Sequence, residues 1–298
     1  MTCIQKEKGH DKKDSHCTIT TIPDKLWGEI KAVLPTEKPP KTVGRPIVPY
    51  RKVLDGILYT LRTGCRWKML PKGYGSGSTC HRRFQQWVGL DVFKRTWVRL
   101  LKIYHNMVGI NWTWQSLDSI SIKSPLGGAM TEGNNPTDRS KLGAKRHILT
   151  DKKGIPLSAV ISSASTHDVN LVTDVVDNAV ISRKRIRGKG RGIQHLCLDK
   201  GYKSAQEEQE LIKRGYVLHI PHKKKKKVVK DDREYEQTTT AMSSHKKYSP
   251  KRWVVERTNS WHNRFRKLFT RYEKKAENYL GLVQFSCCMI IYRKIILG

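Results

Sequence analysis

Three acidic residues in this 298-residue chain have the type and spacing to form a metal-binding cleft. Asp118 lies within a segment of strand character, Asp199 directly follows a short apolar segment, and Glu256 lies early in a predicted helix. Because ligand sites in open α/β sheets form at the carboxyl ends of strands, Asp199 is well placed for such a site. Carboxylates around one cleft repel each other unless cations lie between them, and hard oxygen ligands select Mg²⁺ or Mn²⁺. Two such ions, about 3.5–4 Å apart, can activate a nucleophilic oxygen and stabilise the leaving oxygen of a phosphodiester, so the pattern predicts metal-dependent phosphoryl transfer.

The helix that carries Glu256 is predicted to begin at Ser249-Pro250 and to continue to about Tyr272. At about 100° per residue, Glu256 points away from the apolar stripe of this helix and shares its polar side with Arg252 and Lys267. The stripe consists of Val254, Trp261, Phe265, Leu268 and Tyr272. A lone glutamate on a polar helix face is usually solvated, so Glu256 gains its significance from the other two acids.

The composition favours a nucleic-acid partner. Lys and Arg number 58 against 26 Asp and Glu, a net charge of 58 − 26 = +32, which predicts binding to a polyanion. A hydrophobic content of 37% supplies a core and excludes a wholly disordered chain. The sequence has no run of about 18 apolar residues and no apolar segment at its N-terminus, so neither a membrane span nor a secretory signal is predicted. Its seven cysteines are odd in number and include no CxxC pair, so neither a zinc ribbon nor a disulfide framework is predicted. We therefore expect a cytoplasmic, nucleoid-associated protein.

The hydrophobic pattern changes near residue 110 and predicts a division into domains. Residues 1–20 are expected to form a flexible polar tail, residues 21–110 a helical DNA-binding domain, and residues 111–298 an α/β catalytic domain with a basic insertion at 222–247. In the catalytic domain the elements follow the order β-β-β-α-β-α-β-α. The first three strands can form an antiparallel meander, whereas the later two need helical crossovers and add in parallel. A mixed sheet with helices on both faces is therefore predicted.

Two local signals assign roles to individual residues. A helix, a Gly-rich segment and a second helix capped by Ser78 resemble a helix-turn-helix DNA reader, in which Arg82 and Arg83 are expected to contact DNA. An ordinary helical packing domain is the alternative. Further along the chain, Asp168 is predicted to cap a helix.

Around the three acids the sequence resembles the insertion-sequence-five family of transposases, a branch of the DDE transposases. The resemblance covers about residues 22–296 and depends on the order and joint presence of short motifs. In the first half these motifs are Leu26-Trp27, Gly44-Arg45-Pro46, Val53-Leu54-Asp55-Gly56-Ile57, Arg62-Thr63-Gly64-Cys65-Arg66-Trp67, Leu70-Pro71 and the helix from Ser78 to Trp87. In the second half they are Lys123-Ser124-Pro125-Leu126-Gly127-Gly128, Asn135-Pro136-Thr137-Asp138-Arg139, Lys141-Leu142-Gly143, Lys145-Arg146-His147, His167-Asp168, Asp199-Lys200-Gly201-Tyr202 and the segment from Arg252 to Thr258.

The resemblance implies an RNase H-like catalytic core in which Asp118, Asp199 and Glu256 hold two Mg²⁺ or Mn²⁺ ions. It also implies DNA transposition at terminal inverted repeats, in which water cleaves the phosphodiester at the element end and the freed 3′-hydroxyl attacks target DNA. Two element ends must be brought together, so a homo-oligomer on double-stranded DNA is expected, and no membrane partner.

The family signature around the glutamate, Tyr-(2)-Arg-(3)-Glu-(6)-Lys, is matched by Arg252 and Glu256. Ser249 and Asn263 occupy its Tyr and Lys positions, and Arg264 follows one residue later. DNA contacts are expected from the basic residues around the acids and in the motifs, namely Arg252, Arg257, Arg264, Lys267, Lys200, Lys145 and Arg146.

Other functions fit parts of this pattern. A nuclease of the same fold would share the three acids but never join strands. A catalytically inactive relic would only bind DNA, although three intact acids argue against it. A ribosomal or RNA-binding protein would carry the same charge without a preference for inverted repeats.

Overall fold

A computed structural model of the chain describes residues 21–37, 39, 47–131, 141–181, 193–221 and 252–297. The predicted tail at 1–20, the Gly44-Arg45-Pro46 motif, the basic insertion at 222–247 and the helix start at Ser249-Pro250 lie outside the described residues. Within the described part, a helical region precedes a five-stranded sheet, and further helices follow the strands.

The N-terminal region is helical, as predicted. Its helices are α1 (Asp24–Lys31), α2 (Tyr50–Thr63), α3 (Gly77–Gly89) and α4 (Val92–Met107). The apolar spacing that predicted α1 and α2 marks their buried faces, such as Leu26 and Ile30 on α1 and Leu54 and Ile57 on α2. Gly64 ends α2 with a φ of 74°, a left-handed conformation that favours glycine.

The C-terminal region contains a mixed sheet in the strand order β3-β2-β1-β4-β5. Its strands are β1 (Trp114–Lys123), β2 (Gly143–Asp151), β3 (Pro156–Ser163), β4 (Gln194–Cys197) and β5 (Tyr216–His219). The first three strands pair antiparallel, whereas β4 pairs parallel with β1 and β5 parallel with β4. The associated helices are α5 (Val172–Asp177), α6 (Ala205–Lys213), α7 (Trp253–Asn263) and α8 (Ala276–Leu297). The predicted meander with two parallel additions is therefore confirmed.

Helix α8 joins the two regions through the hydrophobic core. It packs against α4 on one side and β3 on another, and its side chains from Leu282 to Ile291 are almost all buried. A Cβ at Gly281 would lie 2.5 Å from Val88 Cγ2, so glycine permits the close approach of α3. Residues 276–296 are long and apolar enough to cross a membrane by length and composition, yet 67% of this segment is buried inside the described structure, as in a core helix.

The connection between α2 and α3 differs from a helix-turn-helix turn. It runs from Gly64 to Ser76 and contains two 3₁₀ turns, Trp67–Met69 and Lys72–Tyr74, instead of the usual turn of about three or four residues. Ser78 is not the cap of α3, because the Ser76 hydroxyl accepts the Thr79 backbone N–H at 3.1 Å. DNA recognition by these helices stays a prediction.

Helix α7 is shorter than its apolar periodicity predicts. It ends at Asn263, Phe265 adopts an extended conformation and a 3₁₀ turn covers Arg266–Leu268. The chain leaves the helix because the following segment pairs with the end of β1, where the Arg271 N–H donates to the Lys123 carbonyl at 2.8 Å. The prediction of one apolar helical stripe from Val254 to Tyr272 is therefore wrong beyond Asn263, where the helix ends. Tyr272, the last residue of the predicted stripe, is exposed.

A buried carboxylate, Glu273, ties the C-terminal segment to the N-terminal helices. The Trp67 indole N–H donates to Glu273 at 3.0 Å, and both Lys267 and His81 have a nitrogen 3.7 Å from its carboxylate oxygens. Burial by itself raises the pKa of Glu273, but the contacts with His81, Trp67 and Lys267 outweigh it and hold the pKa below the ordinary 4.5. The carboxylate therefore stabilises the folded state as an anion.

Replacement of this anion is expected to destabilise the protein. Glu273→Gln leaves the buried Lys267 ammonium without its carboxylate, which should cost about 3 kcal/mol in urea unfolding at pH 7. Because the folded pKa lies below the unfolded one, the stabilisation is complete above about pH 4.5 and lost as the pH falls through the folded pKa. The difference in unfolding free energy between the wild type and Glu273→Gln should therefore become smaller at acidic pH. Asp174→Asn, an exposed acid on α5, is the matched control, and equal stability of wild type and Glu273→Gln at pH 7 would contradict the role of Glu273.

Candidate active site

The fold brings the three predicted acids to one side of the central strands. Asp118 lies in β1, Asp199 follows β4, and Glu256 lies in the first turn of α7, which packs against β1 and β2. The parallel register pairs Ser116 with Cys197. Continued by two residues, this register sets Asp199 beside Asp118, which explains why acids far apart in sequence converge.

Asp118 is the most buried of the three acids. Its pKa is raised to about 6, mainly by burial and in part by the charges of Asp199 and Glu256. Two contacts oppose this rise, namely the Ser119 N–H, which donates to Asp118 at 2.9 Å, and the charge of Arg252. The side chains of Asp199 and Glu256 are 48% and 46% exposed. The site therefore pairs one partly desolvated carboxylate with two that face solvent, and Asp118 senses the charge of both.

Arg252 lies between the two exposed acids. Its guanidinium is 2.9 Å from Glu256 Oε1, one helical turn away, and 3.9 Å from Asp199 Oδ1. An exposed ion pair of this kind contributes only about 0.5 kcal/mol, so a competing cation can displace it at little cost. Arg252 thus acts on the acids themselves in this arrangement, whereas the sequence predicted a DNA contact for it.

The donor chemistry of the cluster fits a hard divalent cation. Asp118, Asp199 and Glu256 supply the oxygen ligands that Mg²⁺ and Mn²⁺ prefer, and the Arg252 guanidinium compensates only part of their charge. In the described residues, however, no group of three or more His, Cys, Asp or Glu side chains has a geometry ready to hold a metal ion. Metal binding by this triad therefore stays a prediction.

A second polar network adjoins Asp118 and was missed from the sequence. Asp168 accepts a hydrogen bond from the Ser119 hydroxyl at 2.9 Å and forms an ion pair with the Lys145 ammonium, which lies 2.9 Å from its other carboxylate oxygen. Lys145 also donates to the Thr166 carbonyl at 2.7 Å. Asp168 does not cap its helix, which contradicts the predicted role. The sequence offered one signal for this network, because Lys145 and Asp168 both belong to motifs of the family resemblance and carry opposite charges. The network anchors β1 next to Asp118.

The predicted DNA-binding residues fall into two groups. Arg146 is 0% exposed and donates to Asn263 Oδ1 at 3.3 Å, and Lys267 is 5% exposed beside Glu273. Lys145 is mostly buried on Asp168. Burial leaves Arg146 and Lys267 no surface for a DNA phosphate, so the contacts predicted for them are contradicted.

Exposed or partly exposed positions remain for the other predicted DNA contacts. Arg82, Lys200 and Arg264 are exposed. Arg257 stacks on Trp253 and Trp261, with centroid distances of 4.8 and 4.9 Å, and Arg83 hydrogen-bonds Gln86 at 2.7 Å. Whether these residues contact DNA stays a prediction.

Comparisons with known proteins match both halves of the chain. Residues 115–291, including all three acids, match the family model "Transposase DDE domain". The chain belongs to the DDE transposase family. Residues 22–97 match the model "Putative transposase of IS4/5 family (DUF4096)". The five-stranded mixed sheet of this transposase is accordingly the RNase H-like core that the sequence resemblance implied, and the enzyme acts on DNA.

Curated relatives come from one insertion sequence of Burkholderia cepacia. "Putative transposase for insertion sequence element IS402" is 33% identical over 57% of this chain and 73% of its own length. "Insertion element IS402 uncharacterized 16.2 kDa protein" is 39% identical over 39% of this chain and 80% of its own length. A cryo-EM structure of the piggyBac transposase synaptic complex with hairpin DNA aligns with 95% of this chain and 69% of that chain at 11% identity. Its TM-score of 0.39 is too low to support any conclusion about this transposase.

Removal of Arg252 is expected to shift the titration of Asp118. Because Arg252 lowers the pKa of this carboxyl, Arg252→Gln should move it upward from about 6. Carboxyl ¹³C NMR on the metal-free protein measures the shift, with Asp118→Asn to assign the resonance. Arg257→Gln, on the same helix, should leave the titration in place. A downward or absent shift in Arg252→Gln would show that Arg252 does not reach the acid cluster.

Proposed function

We propose that this transposase cleaves DNA at the terminal inverted repeats of an insertion sequence and joins the freed 3′ ends to target DNA. Asp118, Asp199 and Glu256 are proposed to hold two Mg²⁺ or Mn²⁺ ions for both reactions. The observation that carries this proposal is the convergence of the three acids. The register of β1 with β4 sets Asp199 beside Asp118, and the Arg252 guanidinium lies 2.9 Å from Glu256 and 3.9 Å from Asp199. The match of residues 115–291 to the DDE domain supports the reaction class.

The chain's own residues have distinct tasks in this proposal. Divalent ions, when bound, would supply Lewis-acid activation of the attacking oxygen and charge stabilisation of the leaving oxygen. Asp118 is held in place by the Ser119 N–H and by its position in the central strand. Arg252 orients Asp199 and Glu256 in the absence of metal.

Phosphate binding near the acids is assigned to exposed cations. Lys200 directly follows Asp199 and is exposed, so its ammonium is available to a DNA phosphate beside the reacting bond. Since two element ends must be cut and joined, a homo-oligomer assembled on double-stranded DNA is part of the proposal. The reaction is proposed to take place on chromosomal DNA in the cytoplasm.

Loss of any one acid is expected to abolish both reactions. Asp118→Asn, Asp199→Asn and Glu256→Gln should each reduce cleavage of a duplex carrying the element's inverted repeat by at least about 10³-fold, because each removes a charged metal ligand. Gel assays of cleavage and strand joining measure the effect, with Asp174→Asn as a control and circular dichroism as a test of folding.

The two assays separate the competing functions. Cleavage without joining in the wild type would indicate a nuclease, and cleavage that survives all three substitutions would overturn the assignment of the site. Binding to the repeat without any cleavage, in Mg²⁺ or Mn²⁺, would identify an inactive relic.

Addition of Mg²⁺ is expected to stabilise the wild-type protein. A cation that relieves repulsion among the carboxylates binds only the folded state and should raise Tm by about 2–4 °C at concentrations well above its dissociation constant. Asp199→Asn should lose most of this shift, whereas Asp174→Asn should keep it. An equal shift in Asp199→Asn and wild type would place the bound magnesium elsewhere.

A further inference from the structure

A cavity of about 170 Å³ lies where the end of α2 meets the ends of α7 and α8. Four of its lining side chains are cationic and three are apolar, namely Arg62, Arg264, Arg293 and Lys294 with Trp261, Phe265 and Ile290. Among the described residues that line it there is no carboxylate. The cavity lies at the opposite end of α7 from Glu256, so it is separate from the acid cluster.

The cations of this cavity are held in place but not neutralised. The guanidinium of Arg62 lies 4.7 Å from the centroid of the Phe265 ring, and the Lys294 ammonium lies 5.1 Å from that of Trp261. Nε and Nη2 of Arg62 are buried without a hydrogen-bond partner in the described part of the chain. Burial lowers the pKa of Arg62, and the neighbouring charges of Arg293 and Arg264 lower it further.

This arrangement is unfavourable unless an anion completes it. Buried donors without acceptors destabilise a fold, and like charges that converge in a partly desolvated cavity repel one another. Elsewhere in the described structure, Lys145 and Lys267 have a carboxylate partner, and the buried Arg271 donates to backbone carbonyls. The described residues that line the cavity therefore bring four positive charges together and supply no negative charge to offset them.

We propose that this cavity binds a phosphate group between Arg62, Arg264 and Arg293. Guanidinium groups offer paired N–H donors that match phosphate oxygens. Since each liquid water occupies about 30 Å³, the cavity has room for a phosphate with a few waters. It is smaller than the roughly 300–1,000 Å³ of sites that enclose a whole small molecule, so a nucleoside does not fit. The phosphate could be a backbone phosphate of DNA or a free phosphate ion, since both present the same oxygen acceptors. Binding of a DNA phosphate here rests on the proposed function.

A bound phosphate would connect the N-terminal helices to the catalytic region. Arg62 lies in the last turn of α2, whereas Arg264 and Arg293 belong to the C-terminal region. The two regions already meet here, because a Cβ at Gly64 would lie only 3.1 Å from Arg266 Cβ. An anion at this junction would hold α2 against the end of the helix that carries Glu256.

The first test measures Tm of the full chain in sodium phosphate and in sodium chloride at matched pH and ionic strength. The wild type should gain about 2–4 °C in phosphate, and Arg293→Gln and Arg62→Gln should each lose most of this gain. Arg95→Gln, an exposed arginine on α4, should keep it and so corrects for the general stabilisation of proteins by phosphate salts. The proposal would be overturned by the same phosphate-dependent rise in Tm in all four proteins, or by no rise in the wild type. It would also be overturned if the Arg62 and Arg293 variants had a lower Tm in chloride but kept the full rise in phosphate.

The second test identifies the source of the phosphate. The affinity for a generic DNA duplex is measured over a range of salt concentrations for wild type and Arg293→Gln. A log–log salt slope reduced by about 1 in the variant supports a DNA backbone phosphate. An unchanged slope, together with the specific Tm gain, supports a free phosphate ion as the ligand. Neither readout requires cleavage, so a failure of the proposed transposition chemistry would appear only in the assays of the acid variants.

Discussion

Repulsion between carboxylates is the interaction around which the catalytic region is organised. The parallel pairing of β1 with β4 brings Asp118 and Asp199 side by side, and α7 adds Glu256 across the same face. Such convergence destabilises the fold unless positive charge lies among the acids, and here the charge comes from Arg252. Burial is the main cause of the raised pKa of Asp118, and the charges of Asp199 and Glu256 add to it. Carboxylate oxygens that converge in this way are the type of ligand that Mg²⁺ and Mn²⁺ prefer.

The rest of the molecule shows the opposite problem, since the chain carries a net charge of +32. Part of this charge is brought inside and neutralised, with Lys145 on Asp168 and Lys267 on Glu273. Arg146 and Arg62 keep buried nitrogen atoms without a hydrogen-bond partner among the described residues. Arg62 lines a cavity, whereas Arg146 is fully enclosed. A place beside a cavity, without a carboxylate partner among the described residues, is thus what separates Arg62 from Lys145 and Lys267.

The comparison of sequence and structure is instructive at particular elements. The antiparallel meander and the parallel addition of the later strands were predictable because hairpin signals and crossover helices have few topological solutions. The length of α7 was not, because the apolar residues after Asn263 keep a helical period while the backbone pairs with the end of β1. Asp168 was assigned as a helix cap since its partners Ser119 and Lys145 lie far away in sequence. The proposed domain boundary near residue 110 stays a prediction, and the hydrophobic core runs across it through α4 and α8.

The sequence by itself determined the family and the meander with its parallel additions, because motif order and hydrophobic period are properties of the chain alone. It also predicted the three acids that the fold brings together. The tertiary structure decided which cations are available to a ligand. Arg146, Lys267 and Arg264 are equally basic in sequence, yet two are buried and one lines a cavity. Exposure, charge pairing and desolvation arise only when distant segments pack together, and no local pattern encodes them.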